Sequence, residues 1–117
     1  MTESQFKTRV MREIKKALPG CWTYHASDKW VSGIPDVFIL WCGIFAAIEL
    51  KVGKNKPTKL QLIVLERLAA AGAITRVCWT MAEVREVLNK IYATKHPQVA
   101  YIADDKRVNM FGQGELK

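Results

Sequence analysis

Three charged residues, Asp36, Glu49 and Lys51, have types and spacing that could hold a cation and direct a water molecule. The two acids belong to apolar segments, 36–41 and 44–50, which predict the strands of an antiparallel hairpin. Lys51 lies two residues beyond Glu49, so the alternation of a strand places both side chains on one face. We therefore expect two carboxylates and an ammonium group to converge at one end of the hairpin.

The turn between the strands decides whether the two acids oppose each other. A two-residue turn pairs Trp41 with Ile44, and a four-residue loop pairs Leu40 with Phe45. In both cases the sequence numbers of paired residues add up to 85. The numbers of Asp36 and Glu49 also add up to 85, so the two acids are paired in this register. An odd-length loop or a bulge would break the register. Directly opposed residues of antiparallel strands share a face, with Cβ atoms about 4.5–5.5 Å apart.

Two carboxylates so placed repel each other, and the pair is stable if it shares a proton or binds a cation. Hard oxygen ligands with no His or Cys nearby favour Mg²⁺ or Mn²⁺. Such an ion lowers the pKa of a water molecule and neutralises phosphodiester charge, while Lys51 can steer that water. The alternative for Glu49 and Lys51 is a surface salt bridge where the strand ends. Asp36 favours the catalytic interpretation.

The charge of the chain favours a polyanionic partner. The 18 Lys and Arg outnumber the 11 Asp and Glu, which gives a net charge of +7. The excess is larger in residues 1–59, where a basic loop follows Glu49. We predict that Lys54 and Lys56 of this loop, with Lys59 just after it, contact the polyanion. A basic protein with no such partner has the same charge, so charge alone does not decide between them.

Hydrophobic periodicity and turn residues predict a single α/β domain with a mixed sheet flanked by helices, in the order α-β-β-β-α-β-α. Each predicted helix begins at a Thr with Gln or Glu three residues later, the pattern of a capping box. The last two strands are joined through a helix, so they are expected to be parallel. The predicted helices are 2–18, 58–71 and 80–93, and the predicted strands are 21–26, 36–41, 44–50 and 74–79.

We assign residues 1–94 to this core and 95–117 to a C-terminal extension that packs on the core or on a dimer partner. Its apolar stretches, 99–102 and 108–111, do not distinguish these arrangements. Cys21, Cys42 and Cys78 have no zinc-type spacing, and the chain contains neither a signal peptide nor an apolar run of about 18 residues. We therefore expect a cytoplasmic protein with reduced thiols, no zinc, no membrane association and no small-molecule cofactor.

The ordered set of motifs resembles the PD-(D/E)xK nuclease superfamily. These motifs are the sequence GIPD at 33–36, an apolar strand, a turn, and IELK at 48–51. Within that superfamily the chain is similar to the VRR-NUC family, whose small stand-alone members occur in phages, and the similarity covers roughly residues 3–79. It implies a restriction-endonuclease-like fold, DNA cleavage that depends on Mg²⁺ or Mn²⁺, and a homodimer acting on branched DNA such as four-way junctions. A phage-encoded member would work in the host-cell cytoplasm.

The resemblance also implies roles for particular residues. Asp36, Glu49 and the backbone carbonyl of Leu50 would bind the metal, and Lys51 would position the attacking water. Glu3 corresponds to an early helix acid that approaches the metal, often through water.

Glu3 and Gln61 can each also be accounted for by the start of a helix. An acid in the first turn favours the helix dipole, which accounts for Glu3 without a metal. Gln61 corresponds to a helix Gln near the catalytic site, although it also fits a capping box with Thr58, and one amide can serve both.

The loop before Asp36 supplies the remaining candidates for DNA contact: Lys29, Ser32 and Gly33. Gly33 would allow the backbone to approach a phosphate closely, although a plain turn explains Ser32 and Gly33 equally well. The favoured function is a metal-dependent endodeoxyribonuclease. The alternatives are a non-catalytic DNA-binding module with the same fold and a basic domain that binds an acidic protein.

Overall fold

The computed structural model describes residues 1–26 and 32–95, which form three helices and four strands. Their order is the predicted α-β-β-β-α-β-α, and no boundary lies more than two residues from its expected position. The elements are α1 (Glu3–Ala17), β1 (Trp22–His25), β2 (Val37–Trp41), β3 (Ile44–Leu50), α2 (Lys59–Ala70), β4 (Ile74–Cys78) and α3 (Met81–Lys95).

Reciprocal capping boxes start the helices, as the Thr-x-x-Gln/Glu spacing predicts. The Thr2 hydroxyl accepts from the Gln5 amide, and the Gln5 side chain accepts from the Thr2 amide, so two otherwise unpaired donors of α1 are satisfied. α2 begins in the same way at Thr58, and α3 is preceded by an equivalent pair between Thr80 and Glu83.

The four strands form one sheet in the order β1-β2-β3-β4. The first three strands are antiparallel, and β4 is parallel to β3, as the helical connection predicts. Trp41 pairs with Ile44, and the intervening Cys42 and Gly43 have φ values of +51° and +82°. Two consecutive positive φ values define a tight hairpin turn whose twist matches that of the strands. The two-residue turn and the register in which positions sum to 85 are both confirmed.

The main core lies between one face of the sheet and the pair α1 and α3. The helix α1 contributes the predicted stripe of buried residues spaced by four, from Phe6 to Leu18. The helix α2 covers the opposite, outer face over β3 and β4 and buries Leu65 there. This two-sided arrangement makes residues 46–50 of β3 buried throughout, which explains the continuous apolar run interrupted only by Glu49.

The outer face of β1 and β2 is not covered by any helix that the structure describes. Trp22, Tyr24 and Leu40 are 55%, 49% and 43% exposed there. A continuous row of neighbouring aromatic rings runs from Trp22 through Tyr24 and Phe38 to Phe45. An uncharged aromatic surface therefore adjoins the hairpin that carries the two acids.

Two parts of the sequence-based interpretation lie outside the described residues. Lys29 belongs to the segment 27–31, and the apolar stretches of the C-terminal extension belong to 96–117. Within residues 1–26 and 32–95, every helix is too short or too polar to cross a membrane.

Candidate active site

Asp36 lies one residue before β2, directly after Pro35, and is nearly enclosed, with only 4% of its surface exposed. Its Oδ2 accepts a hydrogen bond of 2.8 Å from the backbone amide of Leu50 at the end of β3. Its Oδ1 lies 3.5 Å from the Nζ of Lys7, which is in the second turn of α1. A backbone amide of β3 thus holds Oδ2, and a side chain of α1 contacts Oδ1.

Glu49 is on the outer face of β3 and is 1% exposed. Its Oε2 accepts a 2.9 Å hydrogen bond from Nε2 of Gln61 and lies 3.2 Å from Nζ of Lys51. The lysine side chain is 13% exposed, so the pair is not an ordinary solvated salt bridge. A charge this deeply buried requires such partners, because desolvation costs several kcal/mol per ion.

Gln61 makes a capping contact and a contact with Glu49 through the same side chain. Its Oε1 accepts from the backbone amide of Thr58 at 2.8 Å, and its Nε2 donates to Glu49. Its own backbone amide donates to the Thr58 hydroxyl at 3.1 Å. The start of α2 is therefore connected to Glu49 through a single side chain.

The register places Asp36 opposite Glu49, because the ladder ends at the pair Val37 and Ile48. The backbone amide of Ala26 donates to the carbonyl of Asp36 at 2.8 Å, which extends the β1–β2 ladder past the acid. Strand alternation does not predict which helices contact the two acids. A side chain of α1 contacts Asp36, and a side chain of α2 contacts Glu49.

Glu3 is the sequence-predicted ligand that does not join this pair. Its Oε2 accepts a 3.3 Å hydrogen bond from Asn55 in the basic loop. No group of three His, Cys, Asp or Glu residues in the described ranges is close enough to hold a metal ion. The contact with Asn55 ties α1 to the basic loop.

The predicted DNA-contacting residues differ in their surroundings. Lys54, Lys56, Lys59 and Ser32 are exposed and can meet a ligand. Gly33 has a φ of +80°, and a Cβ built on it would lie 2.8 Å from Cγ of Leu60 in α2. This glycine is therefore required by a turn and by close packing of α2, and those constraints explain it without a phosphate.

Lys7 and His25 adjoin the site, and the sequence motifs include neither of them. Desolvation lowers the pKa of His25, although the side chain is largely exposed. The charge of Lys7 lowers this pKa further, and the charge of Asp36 opposes both effects. The spacing of Lys7 four residues after Glu3 puts both on one side of α1, and this signal could have identified it.

The donor set is suited to a divalent cation of the Mg²⁺ type. Asp36 and Glu49 offer hard carboxylate oxygens, and Mg²⁺ commonly keeps several waters while binding one or two protein carboxylates. Neither His nor Cys belongs to the set, which disfavours zinc. Lys7 and Lys51 offset the charge of the two acids in the protein alone, and a cation would take over part of that role.

The architecture has a counterpart among solved structures. A structure described as a VRR_NUC domain superimposes with a TM-score of 0.62 and 23% sequence identity. The match covers 74% of this chain and 92% of the other. The chain therefore has the fold of that VRR_NUC domain, as the resemblance of its motifs implied. No protein-family model and no curated protein matches the sequence.

Proposed function

We propose that this protein is a metal-dependent endonuclease that hydrolyses DNA phosphodiester bonds. The observation that carries the proposal is the pair of enclosed carboxylates, Asp36 and Glu49. Each carboxylate is contacted by a lysine, and an exposed basic loop follows Glu49 in the chain. A purely structural pair of opposed acids would be costly, since each requires desolvation and they repel each other. Functional sites are where such arrangements concentrate.

The chain's own residues divide the work. Asp36 and Glu49 would hold Mg²⁺ or Mn²⁺, with the carbonyl of Leu50 as a third ligand, and the ion would supply charge neutralisation and a more acidic water. Lys51 would orient the attacking water and stabilise charge in the transition state. Gln61 would keep Glu49 in place, and Lys54, Lys56 and Lys59 would bind the phosphates of the DNA backbone.

We further propose that the substrate is branched DNA, such as a four-way junction, and that the active species is a homodimer. One site cuts one strand per engagement, and a two-fold dimer matches the symmetry of a junction. The uncharged outer face of β1 and β2 supports this, because two copies of a strongly basic chain can approach most closely where neither carries charge. A cytoplasmic location fits the free Cys21, Cys42 and Cys78.

One panel tests the function. Duplex, single-stranded, flap and four-way-junction DNA are each incubated with Mg²⁺, Mn²⁺ or EDTA, and products are resolved on denaturing gels. We expect cleavage with either ion, strongest on branched DNA, and none with EDTA. DNA binding without cleavage would favour the non-catalytic module, and indifference to DNA would favour an acidic protein partner.

The matched variant for this panel is Asp36→Asn. Its amide oxygen can still accept from Leu50, and the loss of one acid relieves repulsion with Glu49, so stability should change by no more than about 1 kcal/mol. Cleavage should fall by at least about a hundredfold. A variant that unfolds readily yet still cuts DNA would make Asp36 a structural residue.

A further inference from the structure

Lys7 differs from the other basic residues of α1 in its surroundings. Arg9, Arg12, Lys15 and Lys16 are exposed, whereas only 19% of the Lys7 side chain is exposed. Burial of an ammonium group is unfavourable unless an opposite charge is near, and the carboxylate of Asp36 supplies it. The position of Lys7 is thus explained by the candidate site and not by solvation of the helix.

The two oxygens of Asp36 have unequal surroundings. The 2.8 Å hydrogen bond from the Leu50 amide fixes Oδ2 to the backbone of β3. Oδ1 faces Lys7 at 3.5 Å, a looser contact with a long side chain. A divalent cation that binds Asp36 through Oδ1 therefore meets the ammonium group of Lys7.

Lys7 can leave Asp36 without any movement of its helix. Phe6 and Val10, its neighbours on the core side of α1, are 4% and 0% exposed and hold the helix against the sheet. The four-carbon stem of a lysine gives its ammonium group several alternative positions at little cost. Lys51, by contrast, directly follows β3, so its side chain starts from the strand that carries Glu49.

We propose, building on the metal-dependent nuclease function, that Lys7 is a positioning residue that occupies the cation's side of Asp36 in the metal-free protein. The ammonium group and the divalent cation compete for Oδ1, so metal binding requires Lys7 to release that oxygen. A phosphate of bound DNA then accepts the released ammonium group. Because linkage is reciprocal, DNA that attracts Lys7 strengthens metal binding, and metal strengthens DNA binding.

The test is calorimetric titration of the full chain with Mn²⁺ in the absence of DNA. Lys7→Met should bind Mn²⁺ about tenfold more tightly than the wild type, because one positive charge near a dication has been removed. Lys7→Arg keeps the charge and should restore the weaker affinity. Lys15→Met removes an exposed charge at the far end of α1 and should leave the affinity unchanged.

A second titration, repeated with a duplex in which phosphorothioates block cleavage, measures the coupling. DNA should tighten Mn²⁺ binding by several-fold in the wild type and by much less in Lys7→Met. A residue that only supports the fold would lower the melting temperature without producing this difference. Equal Mn²⁺ affinity in all four proteins would overturn the inference about Lys7 alone. Failure of every protein to take up Mn²⁺ would overturn the metal-dependent function as well.

Discussion

At the scale of single residues, the candidate site consists of two almost fully enclosed carboxylates at one end of the β2–β3 hairpin, one contacted from α1 and the other from α2. Lys7 contacts Asp36 and Lys51 contacts Glu49, so each acid has a cation beside it. These cations offset the repulsion between two like charges on opposed strand ends. The electrostatics of the site depend on side chains from α1, α2 and the end of β3 at once.

Lys51 and the loop lysines should separate catalysis from binding. Lys51→Ala should reduce the cleavage rate far more than DNA affinity, because its proposed contacts form in the transition state. Lys56→Ala, the matched control in the exposed loop, should weaken DNA binding and reduce the salt dependence by about one phosphate contact. Single-turnover rates and salt-dependent anisotropy titrations measure the two effects. Identical behaviour of both variants would contradict the catalytic assignment of Lys51.

Much of the site could be predicted from local rules. The register rule placed Asp36 opposite Glu49, and the interval of two brought Lys51 to Glu49. Lys7 was missed because basic residues off an apolar stripe are usually solvated. Its spacing from Glu3 indicates a shared side of α1 but not a contact with a distant strand end. The close contact of Gly33 with α2 was hidden for the same reason.

At the scale of elements, the helices follow local signals closely, since side chains within four residues satisfy their first amides. Thr2, Thr58 and Thr80 each precede a helix as predicted. Glu83 adds a longer-range contact, because its Oε2 also pairs with Arg76 of β4 at 3.2 Å. The capping residue of α3 therefore also fastens this helix to the sheet.

Removing the charge of Glu83 should weaken the protein at neutral pH and matter less in acid. The backbone amide of Trp79 lowers the pKa of Glu83 most, and Arg76 lowers it further. The carboxylate's contribution is therefore complete above its ordinary pKa of about 4.3 and is lost as pH falls through the lowered folded value. Glu83→Gln should cost about 1 kcal/mol at pH 7 and less near pH 3.5. Urea unfolding at both pH values, with exposed Glu66→Gln as control, checks this; an equal loss at both would contradict it.

Gly33 and Gly43 form a matched pair for separating backbone strain from steric contact. Their φ values are +80° and +82°, but an added Cβ would meet Leu60 only at Gly33. Gly43→Ala should cost about 1–2 kcal/mol of strain, and Gly33→Ala should cost about 1 kcal/mol or more beyond that. Thermal unfolding compares them. Equal losses would mean that α2 shifts freely away from the loop.

At the scale of the whole molecule, the mixed sheet followed from the order of elements and the handedness of crossovers. The exposed aromatic row could not be predicted in this way. The alternation of residues in β1 and β2 does not reveal which face of the sheet a helix will cover. Among the helices of residues 1–26 and 32–95, α2 is the one on the outer face, and it spans only part of that face. The apolar stretches 99–102 and 108–111 of the C-terminal extension lie outside the described residues.

We expect two copies of the chain to associate through the outer face of β1 and β2. Light scattering should give about twice the 13.3 kDa chain mass. Leu40→Glu should reduce the measured mass to that of one chain, because it adds a charge to the face that the dimer would bury. Ala82→Glu, at an exposed position of α3, is the control.

A mixed dimer with one Asp36→Asn subunit should nick a four-way junction once without resolving it. A monomeric mass with junction DNA bound, together with full double nicking, would defeat the proposal.

The double contact of Gln61 makes the first turn of α2 a reporter for the site. The amide proton of Thr58 is protected by the same side chain that donates to Glu49. Anything that draws Glu49 away loosens that amide, and its proton then exchanges faster with deuterated solvent. Occupancy of the carboxylates can thus be followed at the backbone amide of a residue outside the acid pair.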